Sequence, residues 1–127
     1  MDEKAIEISN RFKNSWIETE IFIHDITDNN IGFERLKAIQ QFVMLLKQNG
    51  EDQFFRMGTS VHDLIISRSV SHGLRLDQKY IKIAAFDTKF EVTLRDGFQI
   101  YRQYMVDSLD DDSVTKLLKT LKDTLID

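Results

Sequence analysis

The chain has 127 residues, a net charge of −4 and no cysteine. This length is typical of one domain of about 100 to 150 residues. The absence of cysteine excludes disulfides, thiol nucleophiles and thiolate metal sites. We therefore expect one globular domain over residues 1–127. We predict a cytoplasmic location and no membrane contact, because the chain has neither a signal-peptide pattern nor an apolar run of about 20 residues.

The charges are distributed unevenly along the chain. Acidic residues outnumber basic ones in residues 1–30 and 107–127, whereas the segment between them has a net positive charge. An acidic protein is poorly suited to binding nucleic acid, since that binding gains its affinity from neutralising phosphates. The central segment could still hold one anion or contact an acidic partner.

Two helices are predicted at the start of the chain. Apolar residues recur at spacings of three and four in residues 3–20, as on one face of a helix. They are Ala5, Ile8, Phe12 and Trp16. Residues 21–26 fit either an extension of this helix or a short strand. The second helix follows the polar residues 28–30, which can cap it, and ends before Gly50, where glycine permits a left-handed backbone.

From residue 54 onward the apolar period changes to two, which predicts four to five strands. The predicted strands are residues 55–58, 62–70, 80–86, 89–95 and 98–106. The clearest is 89–95, with Phe90, Val92 and Leu94 on one face. Asp96-Gly97 predicts a two-residue turn after it. Because the connections are short, the strands form an antiparallel meander, since parallel strands need long crossovers.

A third helix, packed on the sheet, is predicted at the end of the chain. Ser113 is its predicted N-cap, and Val114 begins an apolar stripe at helical spacing. The acidic run of residues 110–112 complements the positive end of the helix dipole, so we interpret it as structural and not as a metal site. The fold class is α+β: two N-terminal helices, a central antiparallel meander and a C-terminal helix.

No motif in the chain indicates a specific chemistry. The histidines His24, His62 and His72 occur in no metal-binding spacing, and the five glycines form no phosphate-binding loop. We therefore predict no cofactor and no metal, and we favour a function other than catalysis. An enzyme with His62 or His72 as general base is kept as an alternative, although no nucleophile is indicated.

The segment from Ile65 to Lys79 is the candidate binding region. Arg68 lies on the predicted core face of its strand, where a charge needs a partner. That partner could be an acid on the first helix. Alternatively, Arg68 could lie at the rim of the sheet with His72 and Arg75 and bind a carboxylate or phosphate. Residues that could share this surface are Arg56, Lys82, Tyr101, Arg102 and Tyr104.

Three functions follow from these observations. The first is a protein-interaction module (an adaptor, a dedicated chaperone or an immunity-type inhibitor), which small size, acidity and the lack of cofactor motifs favour. The second is a domain that binds a small anionic ligand around Arg68, His72 and Arg75. The third is the enzyme with a histidine base. We expect the partner to be another protein.

The last predicted strand adds a hypothesis about oligomeric state. It places Ile100, Tyr104 and Val106 on one face and Tyr101 and Met105 on the other. A strand that is apolar on both faces is typically packed between two layers or covered by a second subunit. A homodimer through the sheet is therefore a further expectation.

Overall fold

The computed structural model describes residues 3–29, 35–60, 63–68, 79–86, 88–96 and 99–124. The helices are α1 (Glu3–Asn29), α2 (Arg35–Gln48) and α3 (Asp112–Lys122), with a 3₁₀ turn at Glu51–Gln53. The strands are β1 (Arg56–Ser60), β2 (Asp63–Ser67), β3 (Lys79–Ala85), β4 (Phe90–Asp96) and β5 (Gln99–Val106). The predicted α+β class, with helices at both ends and an antiparallel meander between them, is confirmed.

The five strands form one sheet in the order β1-β2-β3-β4-β5, and every neighbouring pair is antiparallel. Leu64, Ile83 and Val92 lie side by side across β2, β3 and β4, and each is at most 1% exposed. They belong to the inner face, which packs against apolar residues of α2 and α3 in one core. The opposite face of the sheet is called the outer face below. Burying one such side chain contributes about 1.5 to 3 kcal/mol to stability.

Helix α1 is longer than the first predicted helix. Residues 21–26 are helical, because the buried spacing of three and four continues through Thr19 and Ile23. Asp28 and Asn29 therefore belong to the end of α1, which corrects the sequence prediction that they precede the second helix. Gly50 has a φ of 80°, the left-handed backbone predicted after α2. Within the described residues, every helix is too short or too polar to cross a bilayer.

The N-cap of α3 is Asp111, and the prediction of Ser113 was wrong. The backbone N–H of Ser113 donates to Asp111 Oδ1 at 2.9 Å, so Ser113 already lies in the first turn. This hydrogen bond lowers the pKa of the Asp111 carboxyl below its usual value. Asp111 of the acidic run thus has a structural role, as the cap of α3.

The hairpin between β4 and β5 differs from its prediction by one position. Asp96 is the last residue of β4 and pairs with Gln99, so it is not a central turn residue; Gly97 lies outside the described residues. The register between the two strands shifts between Leu94 and Arg95, and Arg95 pairs with Ile100. Since Arg95 is on the outer face, this irregularity moves Ile100 off the face of Tyr104, where the alternation predicted it.

Candidate functional site

The β1 edge of the sheet is covered by helix α1. The backbone N–H of Met57 in β1 donates to Ser15 Oγ at 3.0 Å. The indole Nε1 of Trp16 donates to the carbonyl of Phe55 at 2.7 Å. Both donors and acceptors are buried, so two side chains of α1 replace the hydrogen bonds that a further strand would make. This edge is therefore closed to strand addition.

The β5 edge has no such cover among the described residues. Seven of its eight residues are exposed. Of the two arrangements that the sequence predicted, this agrees with a strand covered by a second subunit and not with one packed between two layers of its own chain. The large side chains Ile100, Tyr101, Tyr104 and Met105 are 38% to 53% exposed. An open edge strand with exposed apolar side chains is a template for pairing with another chain. We call these four residues and Arg102 the β5 surface.

The β5 surface has one charge. The guanidinium of Arg102 stacks 4.6 Å from the centre of the Tyr101 ring, and its Nη1 donates to the Tyr101 carbonyl. The strand contains neither lysine nor proline, the residues that commonly protect an edge from pairing. The surface can therefore offer main-chain hydrogen bonds, aromatic contact and one cation.

Arg68 follows β2 and is buried, with 9% of its surface exposed. Its Nη1 donates to the carbonyl of Phe54 at 2.9 Å. Burial lowers the pKa of the guanidinium, and the carboxylate of Asp123 beyond α3 opposes that shift. The acid near Arg68 is therefore Asp123, which follows α3. The sequence had suggested an acid on the first helix instead.

The other predicted site residues lie in separate places. Arg56 is on the outer face of β1, and Lys82 on β3 pairs with Asp63 at 3.3 Å. Tyr101, Arg102 and Tyr104 share β5, roughly 19 Å from β1 at about 4.8 Å per strand. His72 and Arg75, like the candidate base His62, lie outside the described residues. Of the six that the structure describes, Tyr101, Arg102 and Tyr104 lie together on β5 and the other three lie apart.

The sequence predicted Ile100 and Met105 in a dimer contact, but neither was among the candidate site residues. The available signal was the combination of apolar residues on both faces with the absence of lysine from residues 99–106.

Comparisons of the chain with models of protein families, with curated proteins and with solved structures found no match. What the protein does must therefore be inferred from its own geometry.

Proposed function

We propose that the protein is a protein-interaction module that binds another protein by adding an extended segment of that partner to β5. One observation supports the proposal: helix α1 covers one edge of the sheet, and the other edge is exposed among the described residues. Ser15 and Trp16 of α1 occupy the β1 edge, whereas β5 exposes four large apolar side chains. Strand addition uses main-chain hydrogen bonds for affinity and alternate side chains for specificity.

The β5 surface defines the chemistry of the partner segment. Tyr101 and Met105 lie on the outer face and Tyr104 on the inner one, so the segment would bring apolar side chains to both faces. An acid opposite Arg102 would satisfy its charge. An adaptor, a chaperone or an immunity-type inhibitor could each act in this way. Action in the cytoplasm stays a prediction from the sequence.

The first experiment is to express the tagged protein in its native host and identify stoichiometric co-purifying proteins by mass spectrometry. The dissociation constant of the purified pair is then measured for the wild type and for Met105→Lys. Met105 is 50% exposed, so the substitution should preserve the fold while placing a charge in the contact. We expect the affinity to fall at least about tenfold, which corresponds to ~1.4 kcal/mol.

Leu45→Lys is the matched control. Leu45 lies on α2 and is 57% exposed, so this variant carries the same new charge away from β5. It should bind the partner like the wild type. Equal binding by Met105→Lys and the wild type would show that the partner does not use β5.

A homodimer through β5 is the second candidate, and the strand's own sequence favours one register for it. Two antiparallel copies related by a twofold axis can align with Gln103 facing Gln103. Arg102 of each copy then lies opposite Tyr104 of the other, and Tyr101 lies opposite Met105. These are cation–π and sulfur–aromatic pairs, and the two Arg102 side chains are kept apart.

The remaining alternatives have less support. For a small anion bound around Arg68, His72 and Arg75, the guanidinium of Arg68 is buried, and its Nη1 already donates to the Phe54 carbonyl. A reaction with His62 or His72 as base stays a prediction from the sequence, since neither residue is among those described.

A further inference from the structure

A groove runs between helix α1 and the outer face of β1 and β2. It has a volume of about 450 Å³, within the range of small-ligand sites. Phe22 and Thr19 of α1 form one wall, and the strands supply the floor through Gly58, Ile65 and Ser67. It lies near the covered β1 edge, at the opposite side of the sheet from the β5 surface.

Gly58 gives the groove its depth. It lies in the middle of β1, opposite Ile65. Glycine weakens a strand at such a position, because it loses more backbone entropy on folding and has no side chain to pack. Its backbone does not have the positive φ that requires glycine, and a Cβ built there would meet no atom within 4 Å. Neither the local conformation nor packing therefore explains the glycine. The register of β1 on β2 has no bulge at Gly58, which leaves close approach of a ligand among the usual roles of a strand glycine.

Arg56 supplies a cation to the groove. It is half-buried on the outer face, two residues before Gly58, and lines the same cavity. Burial lowers the pKa of its guanidinium, while the nearby carboxylate of Glu18 opposes that shift. Glu18 also lines the groove, but it is exposed and can turn toward solvent. An anionic group of a ligand could then take the place of Glu18 beside the guanidinium.

We propose that this groove binds a small organic anion, with its carboxylate or phosphate at Arg56 and an apolar body over Gly58 and Ile65, beside Phe22. The hydroxyls of Thr19 and Ser67 could hold polar atoms of that body. This site is separate from the β5 surface, so it does not depend on the proposed protein partner.

The test is an NMR titration of the ¹⁵N-labelled full chain with phenylacetate and, separately, with phenyl phosphate. 2-Phenylethylamine, which has a comparable apolar body and the opposite charge, is the control ligand. We expect amide shifts centred on Gly58, Ile65 and Thr19 with one or both anions, and at least tenfold weaker binding of the amine. The stronger anion identifies the preferred head group. Equal binding of the amine, or shifts confined to β5, would overturn the proposal.

Three variants sharpen the test. Gly58→Val fills the groove without a clash at Cβ, so it should keep or raise the melting temperature and weaken the better anion at least tenfold. Arg56→Gln should also weaken binding tenfold or more. Glu18→Gln removes the carboxylate that competes for Arg56 and should strengthen anion binding severalfold. Wild-type affinity in a folded Gly58→Val protein, or weaker binding by Glu18→Gln, contradicts the assignment.

Discussion

Arg68 and Arg102 illustrate how position decides the role of a single residue type. Arg68 is buried and donates to the Phe54 carbonyl, whereas Arg102 is exposed and stacks on the neighbouring Tyr101. A buried guanidinium has lost its hydration and needs protein acceptors, while an exposed one keeps its water. The alternation of β2 predicted that Arg68 faces inward. Its partner was not predictable, since Phe54 and Asp123 approach it only in the folded chain.

Arg68→Ala should therefore lower the free energy of unfolding. The substitution removes a part-buried hydrogen bond from a charged donor to the Phe54 carbonyl, and such a bond contributes about 1.5 to 3 kcal/mol. Urea denaturation followed by circular dichroism measures the change. Arg102→Ala, the matched control, should stay within about 0.5 kcal/mol of the wild type. If Arg68→Ala were as stable as the wild type, a ligand-binding role for Arg68 would gain support instead.

At the scale of elements, α1 shows why polar residues interrupt an apolar helix face. Ser15 and Thr19 are each 4% exposed among Phe12, Trp16 and Ile23. The hydroxyl of Ser15 accepts the Met57 N–H and donates to the Phe12 carbonyl, so it serves the strand edge and the helix together. The apolar period predicted the helix, but the use of these polar positions depends on β1, about 40 residues later in the chain.

Ser15→Ala tests this contact between α1 and β1. It removes the acceptor of a buried N–H, which should cost about 1 to 3 kcal/mol even though alanine favours helix formation. Asn14→Ala, one position away on the exposed side of α1, is the control and should leave stability unchanged or slightly higher. Thermal and urea unfolding report both changes. No loss of stability in Ser15→Ala would mean that the β1 edge is held by other contacts.

The N-cap of α3 makes part of the stability depend on pH. Hydrogen bonding to Ser113 lowers the pKa of Asp111 below 3.8 in the folded protein. The cap therefore stabilises the fold fully above pH 3.8, and this contribution is lost as the pH falls through the lowered folded pKa. The melting temperature of Asp111→Ala should lie below that of the wild type at pH 7, with the difference shrinking below pH 3.8.

Asp111→Asn separates the cap from the charge. Asparagine can cap the helix but does not titrate, so its advantage over alanine should persist through the acidic range. A difference between wild type and Asp111→Ala that stayed constant down to pH 2 would exclude the carboxylate as its source.

At the scale of the whole molecule, the two edges of the sheet differ: one is covered by a helix, and the other is exposed among the residues that the structure describes. Helix α1 closes β1 through Ser15 and Trp16, and α2 and α3 contribute to the core on the inner face. On β5, seven of the eight residues are exposed in the part of the chain that the structure describes. Such an edge is a liability in a monomer, so an occupant is expected.

The homodimer register can be tested with one engineered cysteine, because the chain has none of its own. If two copies pair through β5 with Gln103 facing Gln103, Gln103→Cys should form a disulfide-linked dimer under mild oxidation, since facing Cβ atoms lie about 4.5 to 5.5 Å apart and need only a small approach to reach the ~3.5 to 4.5 Å of a disulfide. Arg102→Cys, which would face Tyr104, should cross-link far less. Light scattering that finds a monomer at high concentration, with no cross-link, would leave a different protein as the occupant.

The sequence by itself determined the fold class and most of the inner face of the sheet. A period of two placed Phe90, Val92 and Leu94 together, and short connections predicted antiparallel neighbours; both signals are local. Tertiary structure decided which edge stays open, because the bond between Ser15 and Met57 joins residues 42 positions apart. It also placed Ile100 on the outer face of the sheet, through the register shift at Arg95. It brought α1 beside β1 and β2, which forms the groove between them. Pairings across such distances depend on packing that no local pattern encodes.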